Sequence, residues 1–453
     1  MISAHQVIDT VLAAAGDTET IVLVTDTAEA SLRWAGNSMT TNGEAVRRTT
    51  AVISIIRNGE SAQVGSLVTS EVDPAALPGL VAASQEAARS APAARDNVEL
   101  LRGSGAPGNW DAPTPGTAAT VFGDVAEALT RGFRGTDMLY GFAHHVVETS
   151  YLATSTGIRL RYTQPSGSVE INAKRNGGSA WAGTSTPWFA DVPVDAMLAD
   201  LSMRLDWSRR TVELPAGRYD TIMPPSTVAD MMIYLGWSMD GRGAQEGRTA
   251  LSAPGGGTRV GEKLTDLGLT LFSDPQAVGL ECEPFVAVDS SSETSSVFDN
   301  GMDIGRVDWI RDGTINALAY PRAAAAEFGQ PVAVPCSNFV MTGGAAELAD
   351  LVAGVERGLL LTTLWYIRTV DPTTLLLTGL TRDGVYLIED GEVTGAVNNF
   401  RFNESPLDLL RRATEAGQSE VTLPREWGDW FTRTQMPSLR IPDFNMSSVS
   451  QAQ

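Results

Sequence analysis

Two apolar, β-branched runs at 50–57 and 61–69 constrain the fold more than any other part of the sequence. They flank Asn58-Gly59-Glu60, and Asn-Gly is the dipeptide that most favours a tight hairpin, because such a turn requires positive φ at both residues. The runs therefore predict two antiparallel strands joined by a short turn. Periodicity also predicts the neighbouring elements, which are helices at 2–15 and 73–90 and strands at 21–25 and 30–34.

The rest of the chain divides into a loop and two further units. Residues 91–116 are rich in Pro, Gly, Ala and Asp, which is typical of a linker or a long surface loop. After it, 117–214 combines a helix with long alternating strands, and 215–453 is a larger, β-rich C-terminal domain with buried helices. Together with the unit at 1–90, these segments predict an α+β protein, in which two small helix-plus-antiparallel-sheet units precede the C-terminal domain.

An apolar helix begins the C-terminal domain. Ser226 is its predicted N-cap, and from Val228 to Trp237 apolar residues occupy both sides of the helix. A helix that is apolar nearly all round is buried in a large core or in an interface. A second amphipathic helix is predicted across 348–359, and the aromatic segment 427–444 is predicted to pack onto the domain.

Composition excludes several classes of protein. The net charge is −21 and no basic run occurs, whereas nucleic-acid-binding proteins carry a basic patch. No stretch of about 18 apolar residues is present, so no membrane span is predicted, and the first residues lack the features of a signal peptide. The two cysteines, Cys282 and Cys336, are far apart and form neither a disulfide framework nor a CxxC cluster. We therefore expect a cytoplasmic protein in a reducing compartment.

Residues with catalytic chemistry are few. The chain has three histidines, His5 and the adjacent His144 and His145. The adjacent pair lies in a predicted strand, so the two rings leave on opposite faces and cannot hold one metal together. A GxSxG nucleophile motif is absent, and Cys336 is predicted to be a small buried hydrophobe rather than a nucleophile.

Two other patterns have ordinary structural explanations. A GxGxxG string at 103–108 contains Pro107 and lacks the helix that a dinucleotide site requires, so it is assigned to the linker. The acids beside glycines at 299–303 and 389–392 are predicted to be solvated turn residues. A carboxylate dyad or a divalent-ion site is the alternative at these positions.

Four segments, in the same order along the chain, resemble the TldD/TldE (PmbA) family. The resemblance covers nearly the whole chain and includes its first and third units. The segments are SLRWAGN at 31–37, PSTVAD at 225–230, AGVERGL at 353–359 and TRDGVYLIEDG at 381–391.

The resemblance also implies where a zinc site would be. In this family the active partner carries HExxGH on the helix of the third domain, where two histidines bind zinc, the glutamate activates water and a later cysteine completes the site. With the motif glycine placed on Gly236, Met232 and Trp237 occupy the histidine positions and Ile233 the glutamate position. Arg382 stands near the expected cysteine. The family pattern thus implies no catalytic or metal-binding residue in this chain.

The function implied by the resemblance is that of a non-catalytic subunit. Such a subunit pairs with a TldD-like, HExxGH-bearing relative that holds the zinc, and the heterodimer resembles a metallopeptidase acting on unfolded or modified peptides. A metal-independent homodimer that binds peptide or another ligand is the alternative from a different class. An enzyme with unfamiliar chemistry, using Arg382 and turn carboxylates, is a third hypothesis.

Overall fold

The N-terminal part of the chain is built on one antiparallel sheet in a computed structural model that describes residues 2–70 and 73–450. Its strands are β1 (Glu19–Trp34), β2 (Met39–Asn58), β3 (Ser61–Thr69), β4 (Met138–Thr154), β5 (Arg159–Arg175) and β6 (Gly178–Ser185). They lie in the order β3-β2-β1-β4-β5-β6, and each neighbouring pair is antiparallel. The predicted hairpin is confirmed, because β2 and β3 pair up to Asn58 and Ser61.

Helices cover one face of this sheet. They are α1 (Ala4–Ala15), α2 (Leu77–Ser90), α3 (Gly123–Gly132) and α4 (Val194–Trp207). Since side chains alternate along a strand, Val22 and Leu32 of β1 pack under these helices. Ile21 points the other way and packs against Phe298 of the C-terminal domain. The sheet therefore has a second apolar face that joins the two halves of the protein.

Strands from the two predicted small units lie side by side. β1 pairs with β4 from Ile21↔Thr154 to Trp34↔Gly141. The residues between the units, 91–116, contain turns and a single bridge from Ala93 to Gln63. The two units therefore share one sheet.

The C-terminal domain holds a larger, mixed sheet. Its strands are β7 (Thr211–Val212), β8 (Gly217–Met223), β9 (Leu271–Ser273), β10 (Val307–Arg311), β11 (Thr314–Ile315), β12 (Phe339–Met341), β13 (Arg357–Leu361), β14 (Leu364–Asp371), β15 (Leu376–Thr381), β16 (Val385–Glu389), β17 (Glu392–Val397), β18 (Phe400–Glu404), β19 (Glu415–Thr422) and β20 (Thr434–Val449). The pairs β8–β13, β12–β20 and β7–β17 are parallel, and the remaining pairs are antiparallel. β20 is central, because it pairs with β8, β12, β18 and β19.

The apolar helix predicted at the start of this domain lies in its core. The helices here are α5 (Pro225–Trp237), α6 (Gly241–Gln245), α7 (Arg322–Phe328), α8 (Leu348–Ala353) and α9 (Pro406–Arg412). Each residue of α5 from Thr227 to Leu235 is buried. The α+β prediction is confirmed. Among the described residues, no helix is both long enough and apolar enough to cross a membrane.

Several predicted boundaries are wrong for identifiable reasons. The strands predicted at 21–25 and 30–34 are one strand, because the intervening Asp26 is buried in an ion pair with Arg48 and does not interrupt the pairing. Ser226 is not the N-cap of α5. Pro224 occupies the N-cap position without a side-chain capping bond, and the Ser226 hydroxyl donates to the carbonyl oxygen of Leu423 at 2.8 Å.

One longer segment also differs from its prediction. The helix predicted across 348–359 ends at Ala353, because Gly354 caps it and Leu359 belongs to β13, between β8 and β16. The apolar spacing that indicated a single helix therefore arises from a helix followed by a strand. The prediction that 427–444 packs onto the domain is confirmed, because Trp427 packs against the core and the second part of the segment belongs to β20, whose Phe444 is buried there. Only Trp430 of the aromatic residues in this segment has a largely exposed side chain.

Candidate functional site

The C-terminal half of α5 borders a cavity of about 390 Å³. The residues that line it come from seven separate segments of the C-terminal domain. They are Ile233, Gly236, Trp237, Met239, Ser273, Thr294, Trp309, Ala319, Pro335, Cys336, Ser337, Asn338, Phe339, Trp430 and Phe431. The set contains five aromatic side chains and no Asp, Glu, Lys, Arg or His. A pocket with apolar walls and a few polar groups is the usual form of a small-ligand or peptide side-chain site.

α5 forms the wall that carries the positions corresponding to HExxGH. Ile233 is buried against the cavity. Gly236 allows close packing there, since a Cβ on it would lie 3.0 Å from Cζ of Phe339. Trp237 lies at the rim with 47% of its surface exposed. Met232 is buried in the main core of the domain instead and does not line the cavity.

Aromatic rings pack against one another along the rim. The Trp237 ring meets Trp427 edge-on at 4.6 Å between centroids and Tyr234 at 5.2 Å. Phe431 lies 6.0 Å from Trp237. Edge-to-face contacts of this kind add to the stabilisation that comes from burial alone. The segment that follows β19 is thus fixed over the end of α5.

A buried carboxyl group holds the same segment on α5. Asp230 is fully buried, and its Oδ1 accepts the backbone N–H of Glu426 at 3.0 Å. The Glu426 carboxylate in turn accepts from Arg368 at 3.0 Å and from the backbone N–H of Tyr366 at 2.9 Å. Burial raises the pKa of Asp230 well above its ordinary value. Asp230 does not line the cavity, and its hydrogen bond to Glu426 orders the segment on α5.

The polar groups of the cavity are bonded mainly to the protein itself. The Trp309 indole N–H donates to the Ser273 hydroxyl at 3.1 Å, and that hydroxyl donates to the carbonyl oxygen of Asn338 at 2.9 Å. The Cys336 thiol lies 3.3 Å from Oδ1 of Asn338. An apolar, uncharged group therefore suits this cavity better than an ion, whose charge would lose its hydration without a partner.

Arg382, which stands near the position of the expected zinc-binding cysteine, lies away from the cavity. Arg382 follows β15, and its Nε is 4.0 Å from the Asp383 carboxylate, which also pairs with Arg425 at 2.5 Å and with the Ser179 hydroxyl. Ser179 belongs to the first sheet, so this cluster links the two sheets. Arg382 does not line the cavity. The structure thus brings Ile233 and Trp237 to one site and separates Met232 and Arg382 from it.

The remaining candidate residues have structural roles. His145 is buried with Nδ1 2.7 Å from the Thr117 hydroxyl, and burial lowers its pKa. His144 leaves on the other face, 3.8 Å from the Glu29 carboxylate, so the prediction that the pair diverges is confirmed. Across residues 2–70 and 73–450, no three His, Cys, Asp or Glu side chains converge as metal ligands would.

Two sequence interpretations need correction. Asp299 is not a solvated turn acid: it is fully buried, and its carboxylate accepts from Nε of Arg322 at 2.7 Å. This pairing could not be seen in the sequence because the two residues lie on separate elements. Cys336 is only partly buried and lines the cavity. Nothing local in the sequence indicated that Cys336, Asn338 and Trp309 would meet α5.

Comparisons with known proteins agree on the fold. A family model described as the PmbA/TldA metallopeptidase C-terminal domain matches residues 216–448. No curated protein matches the chain. Among solved structures, TldE from Thermococcus kodakarensis is 16% identical with a TM-score of 0.77, and the match covers 98% of this chain and 99% of that one.

Two further structures are similar over their whole lengths. A putative modulator of DNA gyrase from Bacteroides thetaiotaomicron is 15% identical with a TM-score of 0.74, covering 98% of each chain. A second such protein, from Thermotoga maritima, is 14% identical with a TM-score of 0.75, covering 98% of this chain and 100% of that one. At these identities the matches show a common fold.

Proposed function

The chain belongs to the PmbA/TldD metallopeptidase family, and from this premise we propose that it is the subunit without a zinc site in a cytoplasmic, heterodimeric peptidase. The zinc would be held by a TldD-like relative that carries HExxGH. Unfolded or modified peptides would be the substrates, cut at the relative's metal.

The observation that carries this proposal is the chemistry of α5 beside the cavity. A catalytic zinc needs about three protein ligands from His, Cys, Asp or Glu, and a carboxylate to activate water. Here α5 offers Ile233 and Trp237 to the cavity and Met232 to the core. Of the residues that line the cavity, Cys336 is the one whose type commonly binds catalytic zinc, and its thiol donates to Oδ1 of Asn338 at 3.3 Å. The residues present do not fit zinc, so no catalytic step is assigned to this chain.

The cavity gives the chain a role in holding substrate. Its walls are aromatic and uncharged, which favours an apolar side chain of an extended peptide over a charged one. The half-exposed Trp237 and the exposed Trp430 flank the opening. Aromatic residues at such positions often supply much of the binding energy. The chain would thus position peptide while its partner performs hydrolysis.

Reconstitution with the relative tests this function. The chain alone is expected to leave an unfolded peptide intact and to contain far less than one zinc per molecule by elemental analysis. Mixed with an HExxGH-bearing relative, it should form a heterodimer that cleaves the peptide and is inhibited by a chelator. The matched control is the relative with its motif glutamate replaced by glutamine, which should still pair but not cleave. Chelator-sensitive cleavage by this chain alone, or near one zinc per chain, would contradict the proposal.

The same cavity favours a second candidate function, a metal-independent homodimer that binds peptide or another apolar ligand. The two functions differ in what the isolated chain does. As a homodimer, the chain would bind the peptide fully without a relative and would sediment as a dimer. It would also fail to form a complex with any HExxGH-bearing relative.

A further inference from the structure

A second, smaller cavity lies between the N-terminal sheet and the C-terminal domain. Its volume is about 150 Å³. Tyr162 and Gln164 of β5 border it from the sheet, and Leu280, Thr432 and Arg433 border it from the C-terminal domain. The cavity beside α5 has no charged side chain in its lining, whereas this one has a guanidinium. We refer to it as the Arg433 pocket.

The two spaces share a wall. Trp430 and Phe431 border the cavity beside α5, and Arg433, two residues further on, borders the pocket. The side-chain N–H of Asn338, which lines the cavity, donates to the carbonyl oxygen of Leu280, which lines the pocket, at 2.8 Å. One extended peptide can therefore reach both spaces.

The Arg433 side chain has donors to offer a ligand. Its backbone is fixed, since its carbonyl oxygen accepts the N–H of Phe339 at 3.0 Å. Within the part of the chain that the structure describes, its guanidinium makes neither an ion pair nor a hydrogen bond. A guanidinium stays charged and carries five N–H donors. Leaving these donors without partners in a partly buried place is unfavourable.

Nearby carboxylates balance this charge only in part. Glu148 is the carboxylate whose charge acts on Arg433. Burial raises the pKa of Glu148, and Arg47 opposes this increase more than Arg433 does, so Glu148 is shared between two cations. Of the residues that line the pocket, Glu281 alone is acidic, and it is exposed, where water and salt screen its charge. The pocket therefore retains room for an anionic group beside Arg433.

We propose that Arg433 binds a carboxylate of the same peptide whose apolar side chain enters the cavity beside α5. That carboxylate is either the one at the end of the peptide or the one of an Asp or Glu side chain. A guanidinium can donate two parallel N–H bonds to a carboxylate, which is a geometry that few other pairs achieve. The proposal rests on the substrate-holding function proposed above and adds to it a requirement for charge.

Binding of short peptides to the isolated chain tests this proposal. Each peptide is blocked at its N-terminus with a fluorescent dye and carries one phenylalanine at the last, second-last or third-last position, with a free carboxylate or an amide at its end. At one or more of these spacings the free acid should bind at least about tenfold more tightly than the amide, which is about 1.4 kcal/mol. Because the net charge of the chain is −21, non-specific attraction would favour the amide instead.

A third set of peptides distinguishes the two sources of the carboxylate. These peptides end in an amide and have one glutamate next to the phenylalanine, so a gain in this set alone assigns the site to a side chain. Equal affinities of all three sets would overturn the proposal and leave the substrate-holding function intact. If none of the peptides binds, that function fails together with the proposal.

Two variants assign the effect to the pocket. Arg433→Gln should abolish the difference between acid and amide and leave the affinity for the amide unchanged, because the cavity beside α5 is not altered. Arg89→Gln removes the same charge from an exposed position on α2 and should retain the difference. An equal loss in both variants, or no loss in Arg433→Gln, would contradict the assignment. The comparison of acid and amide on the unmodified chain stands even if a variant does not fold.

Discussion

Helix α5 both packs in the core of the domain and forms one wall of the cavity, and replacing Met232 and Trp237 in turn separates these two roles. Both residues occupy positions where the family's zinc-bearing relatives are expected to carry histidine, yet the structure places them differently. Met232 is 1% exposed in the domain core, whereas Trp237 is 47% exposed at the cavity rim. Met232→Ala should therefore act mainly on folding, and Trp237→Ala mainly on binding.

The sizes of the two effects follow from burial. A fully buried Trp→Ala change costs about 3–5 kcal/mol of unfolding free energy. About half of the Trp237 surface is already in water, so Trp237→Ala should cost about 2 kcal/mol. Met232→Ala removes a fully buried side chain and should cost about 3 kcal/mol or more. The sequence left a place in the core or in an interface open for the apolar residues of α5, and the exposure of Trp237 favours the second for this residue.

Two measurements decide between these roles. Urea unfolding of the isolated chain gives the loss of stability, and titration with an uncharged, unstructured peptide bearing one central phenylalanine gives the binding affinity. The same peptide with alanine is the control for the cavity. Trp237→Ala should weaken binding of the phenylalanine peptide by at least about fivefold, which is about 1 kcal/mol. Met232→Ala should leave that affinity unchanged under conditions where it is folded. If Trp237→Ala destabilises the chain more than Met232→Ala and leaves binding unaltered, the reasoning is refuted.

Two further predictions concern zinc and pH. The triple variant Met232→His, Ile233→Glu, Trp237→His should not bind zinc tightly, because position 232 faces the core, position 237 faces the cavity and Arg382 supplies no third ligand. Stoichiometric, tight binding in a chelator competition would contradict this prediction. Burial, with a smaller contribution from Glu148, raises the pKa of Glu283 from 4.5 to about 7. The pKa of Glu283 is higher in the folded chain than in the unfolded chain, so the protonated carboxyl favours folding. This contribution to the free energy of unfolding is fully present below pH 4.5 and is lost as the pH rises to about 7. Glu283→Gln should remove that loss and raise the free energy of unfolding at pH 8 by up to about 3 kcal/mol relative to the unmodified chain. If the melting temperature changes by the same amount between pH 5 and pH 8 in the variant and in the unmodified chain, the prediction is refuted.

Sequence patterns predicted the elements whose conformation is determined by residues close together in the chain. The hairpin at Asn58-Gly59 and the apolar run of α5 depend on residues that are neighbours in sequence. The strand β20 was missed, because Pro437 and Pro442 interrupt its pattern and it is defined by partners far away in the chain. Its pairing energy comes from tertiary contacts that periodicity does not contain.

The candidate site was only half predictable. The resemblance to the family directed attention to Ile233 and Trp237, and both line the cavity. The opposite wall, with Trp309 and Cys336, comes from segments that no local pattern connects to α5. The contact of the Asn338 side chain with the loop at 274–280 was likewise hidden, since spacing along the chain says nothing about two segments joined by one asparagine. Such sites are fixed by side-chain packing between distant segments.

The position of β20 has a consequence for biosynthesis. Of the strands in the described residues it comes last along the chain, yet it lies at the centre of the larger sheet, where it pairs with β8 more than two hundred residues earlier. When β8 through β19 have been synthesised, these apolar strands therefore still lack their central partner, β20. Such long-range pairing is slow and leaves strand edges open to aggregation. The N-terminal sheet has all its strands by Ser185, so it can form while the chain is being made. The C-terminal domain must wait until β20 has been synthesised, and it is where a nascent chain would need chaperones.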